Sequence, residues 1–246
     1  MTATAGPAPA PVPGPFEDRR LRVPSGLQRA DGGVELWLTE AAEGSDGHAL
    51  LDAGERARAE RLRRPADRLL YVAAHALLRR RLGARLDRDP AALRFVREPC
   101  AGCGAPHGRP ALPGAPVHFS LSHSGDRALV ALAERPVGVD LELLADDGLV
   151  DDVAASLHPR ERAELAGLPP GPPRSTAFTR CWTRKEACLK GTGEGVTADG
   201  LRDTFVGTGP DPAPEPVPGW ALADVEPPEG YAAACAVQLS RTHRRG

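Results

Sequence analysis

Three strand-like runs follow one another between Val117 and Leu144: VHFSLS (Val117 to Ser122), RALVALA (Arg127 to Ala133) and VGVDLELL (Val137 to Leu144). Only the turns HSGD and ERP separate them, the punctuation of short strands in close succession. A chain built around this stretch must cover a small, mainly antiparallel sheet with helices.

The flanking sequence supplies those helices. GVELWL (Gly33 to Leu38) alternates like a strand and precedes the helical tract LDAGERARAERLRRPADRLLYVAAHALLRRRLGARL. In that tract Asp52 is placed to cap a first helix, Pro65 to break the tract and Asp67 to cap a second. Leu70, Ala73, Ala74, Leu77, Leu78 and Leu82 form the apolar stripe of the second helix, with the arginines mostly off it. After the strands, LVDDVAASL, PRERAELAGL and STAFTRCWTRKEACLKG read as helices, and LRDTFVG, GWALADVEP and YAAACAVQLS as strands. The order of elements predicts an α+β fold of two related subdomains meeting near Glu134 to Val137, over 17–134 and 135–246. Residues 1–16, rich in Ala and Pro, form an aperiodic tail expected to be disordered. No sequence repeat supports the pairing, which rests on element order alone.

Composition removes several classes. A hydrophobic fraction of 41% and a formal net charge of -2 fit a folded chain without the basic excess of a general nucleic-acid binder. The five cysteines are too sparse and uneven for a secreted disulfide scaffold, and an odd number leaves at least one unpaired. No run approaches the roughly 18 apolar residues of a membrane span, and the N-terminus lacks the pattern of a signal peptide. The expected location is the cytoplasm.

Asp140 and Glu142, two apart on a strand, point their carboxylates to one face while Val139 and Leu141 point to the other. Two like charges side by side call for a cation, although an isolated D-x-E also suits an edge strand with solvated acids. In CWTRKEACLKG, Trp182, Glu186 and Lys190 are spaced by four and share one helical face, near the apolar Phe178, Cys181, Cys188 and Leu189. Glu186 and Lys190 could be an ordinary surface pair. A third carboxylate joining Asp140 and Glu142 would suit Mg²⁺, which takes oxygen ligands and substrate phosphate, and a lysine beside it would suit the phosphate. Ser122, His123 and Ser124 lie where a strand turns, exposing groups that could hold an anion; a polar turn is the plain alternative.

Two further features stand apart. Cys100-x-x-Cys103 with His107 is half of a zinc-ligand pattern. No second C-x-x-C or H-x-x-H lies near, so His118 or a distant cysteine would have to complete it. The arginine-rich stretches RARAERLRR and RRRLGARL carry interspersed acids and no aromatic stacking platform, which favours a phosphate funnel or a solvated face over a nucleic-acid surface.

Taken together, S-H-S, then G-V-D-L-E, then W-x-x-K-E-A-x-x-K, in that order over roughly Leu51 to Gly195, resemble the Sfp-type 4'-phosphopantetheinyl transferases. The resemblance implies a pseudo-twofold pair of α/β subdomains and transfer of the phosphopantetheine arm of coenzyme A to a serine of apo acyl- or peptidyl-carrier proteins, releasing 3',5'-ADP. It implies Asp140, Glu142 and Glu186 as Mg²⁺ ligands, Glu186 and Lys190 as catalytic groups, and Arg58, Arg109, Ser122, His123, Lys185 and Lys190 as contacts to coenzyme A. Glu55 stands where a further cation would have suited the phosphates. Carrier proteins tend to be acidic, so a basic or apolar groove should receive them. One chain would complete a site, so a monomer is expected. The competing classes are a non-catalytic module that binds coenzyme A or carrier protein, and a Mg²⁺ phosphohydrolase with water as acceptor.

Overall fold

The computed structural model describes residues 18–28, 33–41, 46–100, 102–193, 198–212 and 217–240; the expected tail over 1–16 lies outside them. In chain order the elements are β1 (Arg19–Arg20), α1 (Ser25–Gln28), β2 (Glu35–Glu40), α2 (Ala53–Arg61), α3 (Pro65–Leu86), β3 (Val96–Arg97), β4 (Pro110–Ala111), β5 (His118–Ser124), β6 (Arg127–Ala133) and β7 (Val137–Leu143). They continue with α4 (Asp147–Val153), α5 (Pro159–Ala166), α6 (Pro172–Thr192), α7 (Ala198–Asp203), β8 (Trp220–Asp224) and β9 (Tyr231–Gln238). The class is α+β, as expected.

Every described pairing is antiparallel. One sheet runs β1-β2-β6-β5, a second β7-β9-β8, and a two-stranded hairpin joins β3 to β4. Period-2 alternation distributes the core. From β6, Leu129, Ala131 and Ala133 meet Val139 and Leu141 of β7 and Ala233, Cys235 and Val237 of β9 between the sheets. The opposite faces meet helices: Val130 and Leu132 pack on Leu77, Leu78 and Leu82 of α3, while Ala234 and Ala236 pack under Phe178, Cys181 and Cys188 of α6. The layers are therefore helix, sheet, sheet, helix.

Helix starts follow local chemistry. Asp52 caps α2 through a reciprocal box, its Oδ1 accepting from Glu55 N at 2.9 Å while Glu55 Oε2 accepts from Asp52 N at 2.9 Å. Pro65 opens α3 at a position where its missing N–H costs nothing, with Arg64 as the cap residue. Asp67 therefore sits in the first turn, where its charge suits the positive helix end, and does not cap as expected. The anticipated stripe of α3 is buried throughout.

One strand expectation fails. LRDTFVG forms the end of α7 followed by irregular chain, because its backbone groups pair with side chains in place of a neighbouring strand. Lys185 Nζ donates to the carbonyls of Leu201 and Thr204, and Glu161 Oε1 accepts from Val206 N at 2.8 Å. No helix among the described residues is long and apolar enough to cross a membrane.

Candidate active site

The two sheets meet where β5 runs beside β7, and a row of serine hydroxyls bridges them. Alternation sends Ser120, Ser122 and Ser124 to the side of β7 and His123 to the other. Ser120 Oγ accepts from Val139 N at 3.1 Å, Ser122 Oγ donates to Asp140 Oδ1 at 2.7 Å, and Ser124 Oγ donates to Glu142 Oε2 at 2.8 Å while accepting from Leu143 N at 3.2 Å. Ser122 is thus buried and engaged, not exposing a hydroxyl at a turn. The alternating serines of FSLSHS were a readable signal for this bridge.

Helix α6 supplies the other wall. Its close approach to β7 depends on Gly138, where a Cβ would run into Ala187 O and Gly191 N. Lys190 Nζ lies 2.6 Å from Asp140 Oδ1 and 3.0 Å from Ser122 Oγ. The other oxygen of Asp140, Oδ2, is buried without any hydrogen-bond partner, a costly arrangement for a carboxylate. Burial, then the like charges of Asp140 and Glu142, push Glu186 up to about 7, with Lys190 pulling the other way. Glu142 is raised for the same reasons, burial first and Asp140 second. Three acids thus crowd one ammonium. Their oxygens are spread more widely than the only three-donor group drawn within 4.8 Å among the described residues, which is Cys100, Cys103 and His107. The donor set still fits a hard divalent ion: all ligands are oxygens, negative charge is in excess, and one buried carboxylate oxygen is unpaired.

Lys190 is the cation that acts on Glu142 and Glu186, and further basic groups lie beyond it. Arg109 donates from Nη1 to Gly191 O at 2.7 Å and from Nε to Glu98 Oε2 at 2.6 Å, tying the hairpin to the end of α6. With Lys190, Gly193, Arg97, His107 and Phe119 it lines a cavity of about 270 Å³. An adjoining cavity shares Arg97, Pro110, Phe119 and Leu121 and reaches Tyr71, His75 and Glu55. His123 is exposed, and partial desolvation followed by the nearby Lys190 lowers its pKa. Arg58, exposed on α2, lies close enough to lower both His75 and His123. On the other side of the acids, Glu142, Leu143, Leu149, Phe178 and Trp182 line an apolar groove of about 220 Å³.

Lys185 is a correction. Expected to touch coenzyme A, it is fully buried and paired with Glu161 Oε2 at 2.8 Å, its remaining protons going to the carbonyls of Leu201 and Thr204. Five residues before Lys190 on the helix, it points away from the acids and pins α7 and the chain beyond it to α6. Two buried arginines act similarly and were not singled out in the sequence. Arg79 holds Glu55 at 2.8 Å and Asp52 at 2.9 Å, so Glu55 serves as a structural counter-ion where a phosphate-facing cation was sought. Arg184 grips both carboxylate oxygens of Asp224, each at 2.7 Å.

Carboxylates gathered about a lysine where two sheets meet, beside a cavity that Lys190 and Arg109 line, have a chemistry suited to a phosphate group. Comparison with known proteins narrows the class. A family model described as the 4'-phosphopantetheinyl transferase superfamily matches residues 136–235. The 4'-phosphopantetheinyl transferase HetI of a Nostoc species is 32% identical over 229 residues, covering 88% of this chain and 92% of the relative. A 4'-phosphopantetheinyl transferase of Bacillus subtilis is 27% identical over 151 residues, 61% of this chain and 63% of the relative. The AcpT 4'-phosphopantetheinyl transferase of Salmonella typhimurium is 42% identical over 89 residues, 35% of this chain and 46% of the relative. The chain belongs to the 4'-phosphopantetheinyl transferase superfamily, and its enzyme class is that of a 4'-phosphopantetheinyl transferase.

Proposed function

We propose that the protein moves the 4'-phosphopantetheine arm of coenzyme A to a serine of an apo acyl- or peptidyl-carrier protein, in the presence of Mg²⁺, and releases 3',5'-ADP. The observation that carries this reading is the buried, unpartnered Oδ2 of Asp140 beside the raised carboxyls of Glu142 and Glu186. Asp140, Glu142 and Glu186 would hold the ion, which when bound supplies neutralisation of pyrophosphate charge. The chain's own residues account for the rest. Phosphoryl transfer asks mainly for positioning and charge stabilisation, and Lys190, partly exposed at the cavity that Arg109 lines, is placed to meet phosphate oxygens on the leaving side. Arg58 on α2 lies near His123 and adds positive charge from the N-terminal half, while His123, whose charged form is disfavoured there, offers an imidazole to the same region.

In the reaction the serine hydroxyl oxygen bonds to the β-phosphorus, the bond to the bridging oxygen of the pyrophosphate breaks, and 3',5'-ADP leaves with that oxygen. The serine proton needs an acceptor. Glu186 is our candidate, directly or through water, although an ion held by the same carboxylate would make it a weaker base. The apolar groove beside Glu142, with exposed Leu143, Leu144 and Leu149, is assigned to the helix of the carrier protein that follows its serine, because it opens next to the acids where that serine must arrive. The two units over 17–134 and 135–246, a cytoplasmic location and a monomeric state belong to the same proposal.

The test is intact mass spectrometry of an apo-carrier protein incubated with this protein, coenzyme A and Mg²⁺, with and without EDTA. A gain of one phosphopantetheine arm on the serine, abolished by EDTA, is expected. Bound coenzyme A with no gain across several carriers would favour a binding module, and breakdown of coenzyme A without carrier modification a hydrolase.

A further inference from the structure

The hairpin that carries Arg109 ends in a loop with little apolar anchorage, where only Cys100 among the three candidate ligands is buried. Above the paired residues Val96 with Ala111 and Arg97 with Pro110, the loop closes through Gly108 N to Glu98 O at 2.9 Å, Cys100 N to Ala105 O at 2.7 Å and Gly104 N to Cys100 O at 2.8 Å. That last bond turns the chain tightly behind the second cysteine, with Gly104 in the left-handed region at φ 74°. The turn brings Cys100 Sγ, Cys103 Sγ and a ring nitrogen of His107 within 4.8 Å of one another, with Cys103 Sγ 3.0 Å from His107 Nε2.

We propose that Cys100, Cys103 and His107 bind one zinc ion, which clamps the tip of the hairpin beside the cavity that Arg109 and Lys190 line. Zinc bonds of about 2.3 Å to sulfur and 2.0–2.1 Å to nitrogen, at tetrahedral angles, set ligand atoms roughly 3.5–3.8 Å apart. The observed cluster, within 4.8 Å overall and 3.0 Å between Cys103 Sγ and His107 Nε2, brackets that spacing, and two of its three side chains, Cys103 and His107, are exposed. Two thiolates and an imidazole are a soft to borderline set, which selects zinc over the hard ion suited to the acid cluster. His118 is not among the three gathered donors, so the fourth place is left to water. Binding releases the two thiol protons to solvent as Zn–S bonds form, with no change of oxidation state.

The clamp has a consequence for the site. His107 lies two residues before Arg109 and lines the same cavity, so an ion at the loop tip restrains the backbone from which Arg109 reaches Gly191 O and Glu98. Tying the loop at three side chains removes freedom that its few backbone bonds leave open.

The experiment uses the full chain, loaded with zinc salt, desalted and analysed by plasma mass spectrometry, alongside titration with cobalt(II) read by thiolate-to-cobalt charge-transfer absorption. One zinc per chain is expected, with the cobalt band present. In Cys103→Ser and His107→Gln, both exposed side chains whose loss leaves the core intact, the retained zinc should fall at least about tenfold, the scale of losing one ligand from a metal site. In Asp140→Asn it should be unchanged. Amide exchange across 98–109 should quicken when a chelator is added to the parent chain, and not further in Cys103→Ser. No retained zinc in the parent chain, or zinc that persists in Cys103→Ser and disappears in Asp140→Asn, would overturn the proposal.

Discussion

Lys190 on α6 and Asp140 on β7 are joined by a 2.6 Å contact that uses one carboxylate oxygen and leaves the other buried and unpaired. The lysine neutralises part of the cluster, and the unpaired oxygen is the group that a divalent ion would satisfy. Asp140→Asn keeps the size of the side chain and its bond to Ser122 but removes the charge. Transfer activity should fall about 100-fold or more, a few kcal/mol of lost charge stabilisation, and raising Mg²⁺ should not restore it. Glu142→Gln, at the less buried edge of the cluster, should recover in part as Mg²⁺ is raised. Rates of carrier-protein mass gain across a Mg²⁺ titration check both.

Lys185 and Glu161 form a fully buried ion pair. Removing one partner strands the other without solvent, so Lys185→Met should lower the unfolding free energy by about 3–5 kcal/mol. The double variant Lys185→Met, Glu161→Gln should lose less than the two single changes added together. Urea unfolding reads this directly. Residual activity, corrected for the folded fraction, should show an unchanged KM for coenzyme A, as a structural pin requires.

What the sequence disclosed and withheld follows from physical range. The β5, β6 and β7 runs and the stripe of α3 were legible because alternation and 3.6-residue periodicity are local properties. Asp140, Glu142, Glu186 and Lys190 were singled out by spacing, two apart on a strand and four apart on a helix, but their roles came only from the order of motifs that the family resemblance supplied. Lys185 was misread, because the residues that receive its ammonium, Glu161, Leu201 and Thr204, lie far along the chain, and helical spacing cannot tell a pin from a ligand. LRDTFVG failed for a related reason: the run carries no clear period-2 alternation, a strand also needs a neighbour, and here side chains took the backbone bonds. Arg79 looked like one more basic surface residue until α2 folded its two capping acids onto it.

Gly138 offers a purely steric prediction. Helix α6 lies so close to β7 that any Cβ at this position meets the backbone of Ala187 and Gly191, neither of which can move without shifting the helix that carries Glu186 and Lys190. Gly138→Ala should cost about 1–3 kcal/mol or somewhat more and reduce kcat with little change in carrier-protein KM. Thermal unfolding and steady-state kinetics measure the two effects, and an unperturbed Tm would contradict the close approach.

His75 provides a pH prediction independent of the acid cluster. It sits in the wall of the cavity bounded by Tyr71, Leu78 and Phe119, with its Nδ1 2.9 Å from Tyr71 O. Burial lowers its pKa from 6.5 to about 4, helped by the positive charge of His123, Arg79 and Arg58 and opposed by the Tyr71 carbonyl. A depressed pKa means that the folded state prefers the neutral ring. The contribution is complete above the unfolded value near 6.5, and as pH falls the unfolded chain takes up the proton first, so stability is lost progressively until the folded value near 4 is reached. Over that interval the loss amounts to roughly 3 kcal/mol. His75→Gln has no proton to gain, so its stability relative to the parent chain should improve by about that amount between pH 6.5 and pH 4, while above pH 7 the difference between the two should be flat. Urea unfolding at half-unit pH steps gives the comparison, and parallel pH profiles for parent and variant would show that His75 is not held neutral in the fold.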